Sequence, residues 1–302
     1  MSHILLFANP ISGRGRARAL AGKIARRLRA DGYRVQRHFE PPAEIRPEDL
    51  PHHAVAAVVI GGDGTLRTVA DRLLAIGPLP PLVAVPMGTA NLMGRQLKIP
   101  RLTLESAAGW VSDVVRGRHI IRLDAARANG ELVLLMVGIG FDGEVVHDLA
   151  RSRTGPIRMS DYLIPAARAL GSYRFSSLRV IADGAEVFPS KPAIAFVGNS
   201  PEYGTGFPVL PLADPADGKM DLCVLPCRSR TQLLGWFVSV MAGTHLAAKG
   251  VVSLRAKHVR IESQRPVPMQ IDGDPGGYTP LVIDLLPGQL SFMVPREQSD
   301  HG

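Results

Sequence analysis

Five consecutive residues, Gly61-Gly62-Asp63-Gly64-Thr65, carry the sharpest chemical signal in the sequence. The glycines let the main chain approach a polyphosphate closely and adopt conformations closed to other residues. The segment follows a continuous apolar run at 54–60 and precedes Leu66, Val69, Ala70, Leu73 and Leu74, which have helical spacing. A strand that feeds a helix in this way presents the helix's unpaired N–H groups to phosphate oxygens. Thr65 can cap that helix or bond a phosphate oxygen. A carboxylate at Asp63 repels phosphate, so its presence implies a metal ion or a hydroxyl as its partner.

Two further loops fall at equivalent places. Asn9-Pro10-Ile11-Ser12-Gly13 follows the first strand signal, and Pro86-Met87-Gly88-Thr89-Ala90-Asn91 follows the fourth. Either alone reads equally well as a simple turn. In an open parallel sheet, however, the carboxyl ends of the strands share one edge, where ligands bind. Three loops of small and polar residues on that edge can form one nucleotide cleft.

The second half of the chain holds three more constellations. Asp214-Pro215-Ala216-Asp217-Gly218-Lys219-Met220-Asp221 concentrates hard oxygen ligands, which suits either a Mg²⁺ ion that keeps several waters or a capped turn before a strand. Ile271-Asp272-Gly273-Asp274 sets two carboxylates at a strand end, either to accept a proton from a substrate hydroxyl or as a polar hairpin turn. Gly138-Ile139-Gly140-Phe141-Asp142 places glycines against another strand end, for close packing or for substrate approach. Leu233, Leu234, Phe237, Val238 and Met241 form an apolar helical face, suited to an acyl chain or to plain core packing. Several motifs are excluded. Gly13-Arg14-Gly15 lacks the third glycine of a dinucleotide fingerprint, no Walker A loop is present, and 214–221 has neither the spacing nor the distal Glu of an EF-hand.

The elements that must position these residues change character near residue 120. Before it, strands at 4–8, 33–39, 54–60 and 82–85 alternate with helical patterns at 14–30, 66–74, 90–97 and 102–115. Such alternation predicts an α/β domain with a mostly parallel sheet. After it, Asn129-Gly130 and Asp183-Gly184 are hairpin signals. Short strands are expected at 122–128, 132–137, 178–182, 193–198, 220–225, 258–262, 267–271, 281–285 and 290–294, with helices at 162–170 and 231–248. This predicts a mainly antiparallel β-sandwich. The expected domains are 1–123 and 124–302, with the C-terminal tail packing back on the first.

The 302 residues are 46% hydrophobic and 21% charged, a globular composition. Lys and Arg exceed Asp and Glu by 35 to 27, a net charge of +8 that favours anionic partners or simply solubility. With aromatics at 5%, a single-strand nucleic-acid platform is not expected. Two cysteines, Cys223 and Cys227, exclude a disulfide scaffold and a cysteine-built zinc site, and suit a reduced, cytoplasmic protein. The apolar runs are too short to span a bilayer, and the N-terminus reads as a strand rather than a signal peptide.

In this order, and over most of the chain, the motifs resemble the diacylglycerol kinase catalytic-domain family, specifically the soluble bacterial lipid kinases related to sphingosine and ceramide kinases. Gly61-Gly62-Asp63-Gly64-Thr65 is shared with NAD kinases; Gly88-Thr89-Ala90-Asn91, Asp217-Gly218-Lys219-Met220-Asp221 and Asp272-Gly273-Asp274 tip the balance. The resemblance implies an ATP-binding α/β domain and a lipid-substrate β-sandwich, with ATP and lipid meeting between them and the γ-phosphoryl group passing to a diacylglycerol-like hydroxyl. NAD kinase-like transfer to a nucleotide hydroxyl is the alternative, and a non-catalytic lipid-binding protein the third. By position, Asn9, Pro10, Ile11, Ser12, Gly13, Gly61, Gly62, Asp63, Gly64, Thr65, Gly88, Thr89 and Asn91 would hold ATP. Asp217 would give a carboxylate to a structural Mg²⁺, with main-chain oxygens near Asp214 and Lys219 helping and Asp124 joining the water network. Asp272 would be the base, Asp274 (a Glu in the family) would orient, and Asp63 completes the catalytic carboxylates. The chain departs from the family at Leu92, often an Asp in bacterial relatives, and at Phe39-Glu40-Pro41-Pro42, where a Thr usually meets ATP. A peripheral position at a membrane follows from the lipid; a homodimer is one of the assemblies left open.

Overall fold

The computed structural model describes residues 1–10, 12–51, 53–77, 79–152, 161, 163–204 and 206–296. They form two compact units, Met1–Leu123 with 289–296, and Asp124–Gly288.

In the first unit, β1 (His3–Ala8), β2 (Arg34–His38), β3 (Ala54–Gly61) and β4 (Leu82–Pro86) pair in the order β4-β3-β1-β2, all parallel. Alternate side chains, Ile4, Leu6, Val58, Ile60, Val83 and Val85, pack against α1 (Ala17–Ala30) and α4 (Ser106–Gly117) through Leu20, Ile24, Leu28 and Val111. Each such side chain contributes about 1.5–3 kcal/mol by leaving water. On β3, α2 (Asp63–Ile76) buries Leu66, Val69, Ala70 and Leu73, the residues whose spacing predicted it. The short α3 (Leu92–Gln96) follows β4. The carboxyl ends of β1, β3 and β4 therefore lie on one edge, with the three small-residue loops issuing from it.

In the second unit, β5 (Ile120–Ala128) and β6 (Glu131–Val133) form a hairpin whose turn residues, Asn129 and Gly130, both have positive φ, as that turn type requires. There follow β7 (Met136–Ile139), α5 (Phe141–Ser152), α6 (Leu163–Ser172), β8 (Ser177–Ala182), β9 (Ala185–Gly198), β10 (Met220–Pro226), α7 (Arg230–Met241), β11 (Val252–Ala256), β12 (His258–Ser263), β13 (Pro268–Ile271), β14 (Asp274–Tyr278) and β15 (Leu281–Met293). The long β9 pairs with β8 along its first half and with β7 and β10 along its second. One sheet is thus β9-β8-β12-β15, with β5 beside β15; the other is β14-β13-β7-β9-β10-β11. Leu178, Val180, Val259, Ile261 and Ile283 from the first meet Val137, Ile139, Val197, Leu222 and Val224 from the second. Cys223 and Leu225 of β10 face the other way and pack with Leu233 and Val240 of α7. Both cysteines are free and buried. Among the described residues no helix is long and apolar enough to cross a membrane.

Four expected elements differ, and α5, β11 and β14 lie where none was expected. The strand expected at 132–137 is split, because the N–H groups of Leu134, Leu135 and Met136 turn to the Asp272 carboxylate. The helix expected at 231–248 stops at Met241: Gly243 takes φ +68, its N–H bonds Val240 O, and Thr244 N–H bonds Ser239 O, a Schellman stop. The two strands expected at 281–285 and 290–294 are one, since Gly288 bends the chain without ending it. The glycine-rich 274–278 is a strand, held by pairing with β13.

Candidate functional site

On the first unit's edge, the motif residues hold one another. Asn9 continues from β1, its N–H bonding Ile60 O at 3.3 Å and its side-chain amide donating to Thr65 Oγ1 at 3.4 Å. Thr65 lies over Gly61, where a Cβ would come within 2.5 Å of the Thr65 Cβ. Helix α2 begins without a side-chain cap, so Thr65 serves the loop contact instead. Gly62 and Gly88 bring two loops together: a Cβ on Gly88 would sit 2.7 Å from Gly62 Cα and 2.8 Å from Asn91 Oδ1. Asn91 ties its own loop by accepting from Gly88 N–H and donating to Gly88 O, both at 2.8 Å. It does so in the left-handed region, at φ +49. Gly13, at φ +58, leaves the space that the Met87 side chain occupies.

Asp63 does not face outward. Its two carboxylate oxygens accept the N–H groups of Leu92 at 2.9 Å and Met93 at 3.0 Å, the first turn of α3. Burial, the largest influence, raises its pKa, and those two amides oppose the shift. The partner expected for this carboxylate, a metal or a hydroxyl, is thus a pair of main-chain donors. The first helical N–H of α2 to find a partner is that of Leu66, on Gly62 O at 3.0 Å. The N–H groups before it have no acceptor within the helix, which is the usual anion-binding geometry of a helix start. Thr89 and Gly88 are exposed on the same edge, Ser12 is half-buried, and Pro10 is exposed. Ile11 lies outside the described residues. Glu40 is engaged by its neighbours: its carboxylate meets His38 Nδ1 and accepts the Phe39 N–H.

In the second unit, Asp272 and Gly273 form the tight turn between β13 and β14, both with positive φ. The Asp272 carboxylate accepts from Leu134 N–H at 2.8 Å, Leu135 at 2.9 Å and Met136 at 3.0 Å. Both of its oxygens are therefore committed to the β6–β7 connection. Asp274, the first residue of β14, is half-buried.

The 214–221 segment folds as a capped turn. Asp214 accepts from Ala216 N–H at 2.9 Å, and Asp217 from Lys219 N–H at 3.0 Å. The Lys219 carbonyl, expected near a metal, lies 3.1 Å from the Asn199 side-chain amide, oriented as its neighbours require. Asp124 fastens the turn, accepting from Gly218 N–H and Gly288 N–H, both at 2.7 Å. Arg255 supplies the positive charge, 3.1 Å from Asp217 and 3.8 Å from Asp221. Among the described residues no three His, Cys, Asp or Glu side chains group as a metal site. Asp217 Oδ2 and Asp221 Oδ2 are sealed from solvent, and both face the Arg255 guanidinium. A Mg²⁺ ion on these oxygens would have to take the place that the guanidinium holds. Asp221 was not among the expected ligands; burial first, then the charges of Asp217 and Asp214, raise its pKa against Arg255.

The sequence reading also missed Asp142, although its motif was visible. The Asp142 Oδ2 is sealed from solvent, and its carboxyl meets the side chains of Tyr203 and Gln270. Burial pushes its pKa up to about 6. The neighbouring glycines make the room. A Cβ on Gly138 would fall 2.0 Å from Asp142 Oδ2, and one on Gly143 would fall 2.3 Å from Pro268 O on β13. Gln270 in turn accepts the Gly273 N–H at 2.7 Å, which connects Asp142 to the Asp272 turn.

Residues 3–128 match the diacylglycerol kinase catalytic domain, and residues 135–294 match the YegS C-terminal NAD kinase beta sandwich-like domain. A diacylglycerol kinase of Mycobacterium tuberculosis (strain ATCC 25618 / H37Rv) is 30% identical, covering 97% of this chain and 95% of that protein. A diacylglycerol kinase of Bacillus subtilis (strain 168) is 23% identical over 99% of each. Among solved structures, a putative diacylglycerol kinase from Bacillus anthracis str. Sterne has a TM-score of 0.76 at 23% identity, over 98% of this chain and 96% of that one. An NAD kinase from Archaeoglobus fulgidus in complex with ATP has a TM-score of 0.59 at 13% identity, over 99% and 95%. These last two likenesses are of fold alone. The chain belongs to the diacylglycerol kinase catalytic-domain family, with the YegS-type C-terminal domain.

Proposed function

We propose that this member of the family transfers the γ-phosphoryl group of ATP to the hydroxyl of a diacylglycerol-like lipid. The observation that carries the reading is the three-loop edge of the first unit, where Gly88 has no room for a side chain against Gly62 and the first N–H groups of α2 have no acceptor within the helix. Such an edge holds a polyphosphate by main-chain donors. Asn9, Ser12, Gly13, Gly61, Gly62, Gly64, Thr65, Gly88, Thr89 and Asn91 are its residues, with Asp63 fixing one loop to the next.

Phosphoryl transfer needs positioning, charge neutralisation and a place for the hydroxyl proton. The lipid oxygen bonds to the γ-phosphorus as the bond to the β-phosphate oxygen breaks, and ADP leaves. We assign the proton to Asp274. The Asp272 carboxylate, with three main-chain donors on it, positions the turn that carries Asp274. A structural Mg²⁺ held by Asp217, with main-chain oxygens near Asp214 and Lys219, would stiffen the 214–221 turn.

The NAD kinase alternative shares the Gly-Gly-Asp-Gly-Thr element and differs in the acceptor. A panel containing ATP with diacylglycerol, monoacylglycerol, a sphingoid base or NAD, read by product mass, separates the readings. Diacylglycerol is expected to be the best acceptor, and omission of Mg²⁺ to abolish transfer. NAD as the sole acceptor would overturn the lipid reading.

A further inference from the structure

Helix α7 has two apolar faces, and only one is covered. Leu233 and Val240 pack into the core of the second unit, where Trp236 also packs. Leu234, Phe237, Val238 and Met241, at i, i+3, i+4 and i+7, form a continuous stripe on the opposite side. Their exposures are 52%, 58%, 66% and 53%. Phe237 stacks on Phe207, and Leu212, on the same connection as Phe207, is 62% exposed. A stripe of large apolar side chains this exposed marks an interaction surface.

Charge identifies the occupant. From 222 to 261 the chain has no Asp or Glu, while Arg228 and Arg230 stand at the start of α7 and Lys249 lies beyond its end. All three are exposed. At twelve residues the helix is about 18 Å long, too short to span a bilayer but suited to lying along one. A second copy of the chain is a poorer fit, because a two-fold contact through this face sets the same cations against each other.

We propose that the Leu234–Phe237–Val238–Met241 face of α7, flanked by Arg228, Arg230 and Lys249, docks the protein on an anionic lipid bilayer. The apolar side chains enter the headgroup boundary and the cations meet lipid phosphates. The proposal deepens the lipid-acceptor reading by assigning the surface through which a lipid-bound substrate is reached.

Vesicle sedimentation tests it, with the full chain and phosphatidylcholine vesicles with or without phosphatidylglycerol. Wild type is expected to sediment with anionic vesicles and to be released by salt. Val238→Glu/Met241→Glu, at exposed positions, should keep the thermal melting temperature and bind at least about tenfold more weakly. Arg228→Gln/Arg230→Gln/Lys249→Gln should weaken binding and flatten its salt dependence. Unchanged binding by the first variant would overturn the proposal. So would a wild-type dimer in ultracentrifugation that the same variant dissolves, since a second copy would then cover the face. A short-chain, water-soluble diacylglycerol separates this proposal from the kinase reading. The docking variant should phosphorylate it at the wild-type rate while losing activity on vesicle-bound lipid. Equal loss on both substrates counts against docking. A wild type that binds vesicles but phosphorylates no lipid supports docking and refutes the kinase reading.

Discussion

Asp63 holds Leu92: the carboxylate at the start of α2 accepts the N–H of Leu92 at 2.9 Å, at the start of α3. With Met93 on the other oxygen, one half-buried side chain fixes the loop after β3 to the loop after β4. The Asp of the Gly-Gly-Asp-Gly-Thr element is therefore the fastening between two phosphate-side loops. Asp63→Ala leaves two amides without acceptors and is expected to cost about 1–3 kcal/mol in denaturant unfolding. ATP-dependent turnover should fall as well, because the Gly88 loop is released. Wild-type stability would contradict this role.

Gly88 tests whether close approach of the loops matters to nucleotide binding. In Gly88→Ala the new Cβ meets Gly62 Cα at 2.7 Å, a main-chain neighbour that cannot swing aside. A displacement on this scale is expected to lower turnover by about 10²-fold. Gly117→Ala, with nothing within 4 Å, serves as the neutral control. Calorimetric titration with ATP should show the loss in the first variant and none in the second.

The two carboxylates of the β13–β14 turn should separate structure from chemistry. Asp272→Asn places an NH₂ group against main-chain donors, so its melting temperature is expected to drop. Asp274→Asn should lose about 10²–10⁴-fold in turnover, the usual effect of losing a general base. A stable, inactive Asp272→Asn beside an active Asp274→Asn would return the base role to Asp272.

Asp142 should make stability depend on pH. Burial raises its carboxyl from 3.8 to about 6 in the folded protein. The folded state thus keeps a proton that the unfolded chain releases, and this contribution, full below 3.8, is lost as pH rises through about 6. Asp142→Asn stays neutral throughout. The stability of wild type relative to this variant is expected to fall by roughly 3 kcal/mol or less between about pH 4 and about pH 7. A difference that stays level across that range in denaturant titrations would contradict the buried, protonated state.

What the sequence made legible was mostly local. Apolar periodicity marked β3 and α2, and Asn129-Gly130 marked its hairpin, because period and turn chemistry act over a few residues. The meeting of Gly62 with Gly88 was inferable only as loops on one sheet edge. Partners distant in sequence stayed hidden. Nothing near Leu134 announces that Asp272 will draw three N–H groups and break the strand. Nothing near Pro287-Gly288 announces that Asp124 accepts the Gly288 N–H and that β15 runs on. Asp142 was missed for the same reason, although the glycines at 138 and 143 that make its room were in view.

The central claim is transfer from ATP to a lipid hydroxyl, and labelled transfer measures it directly. Wild type and Asp274→Asn, each with γ-labelled ATP, Mg²⁺ and diacylglycerol in mixed micelles, are compared by the label recovered as lipid phosphomonoester. The account predicts steady labelling by wild type and about 10²–10⁴-fold less by the variant. Absence of labelled lipid with wild type, or equal labelling by both proteins, would contradict it.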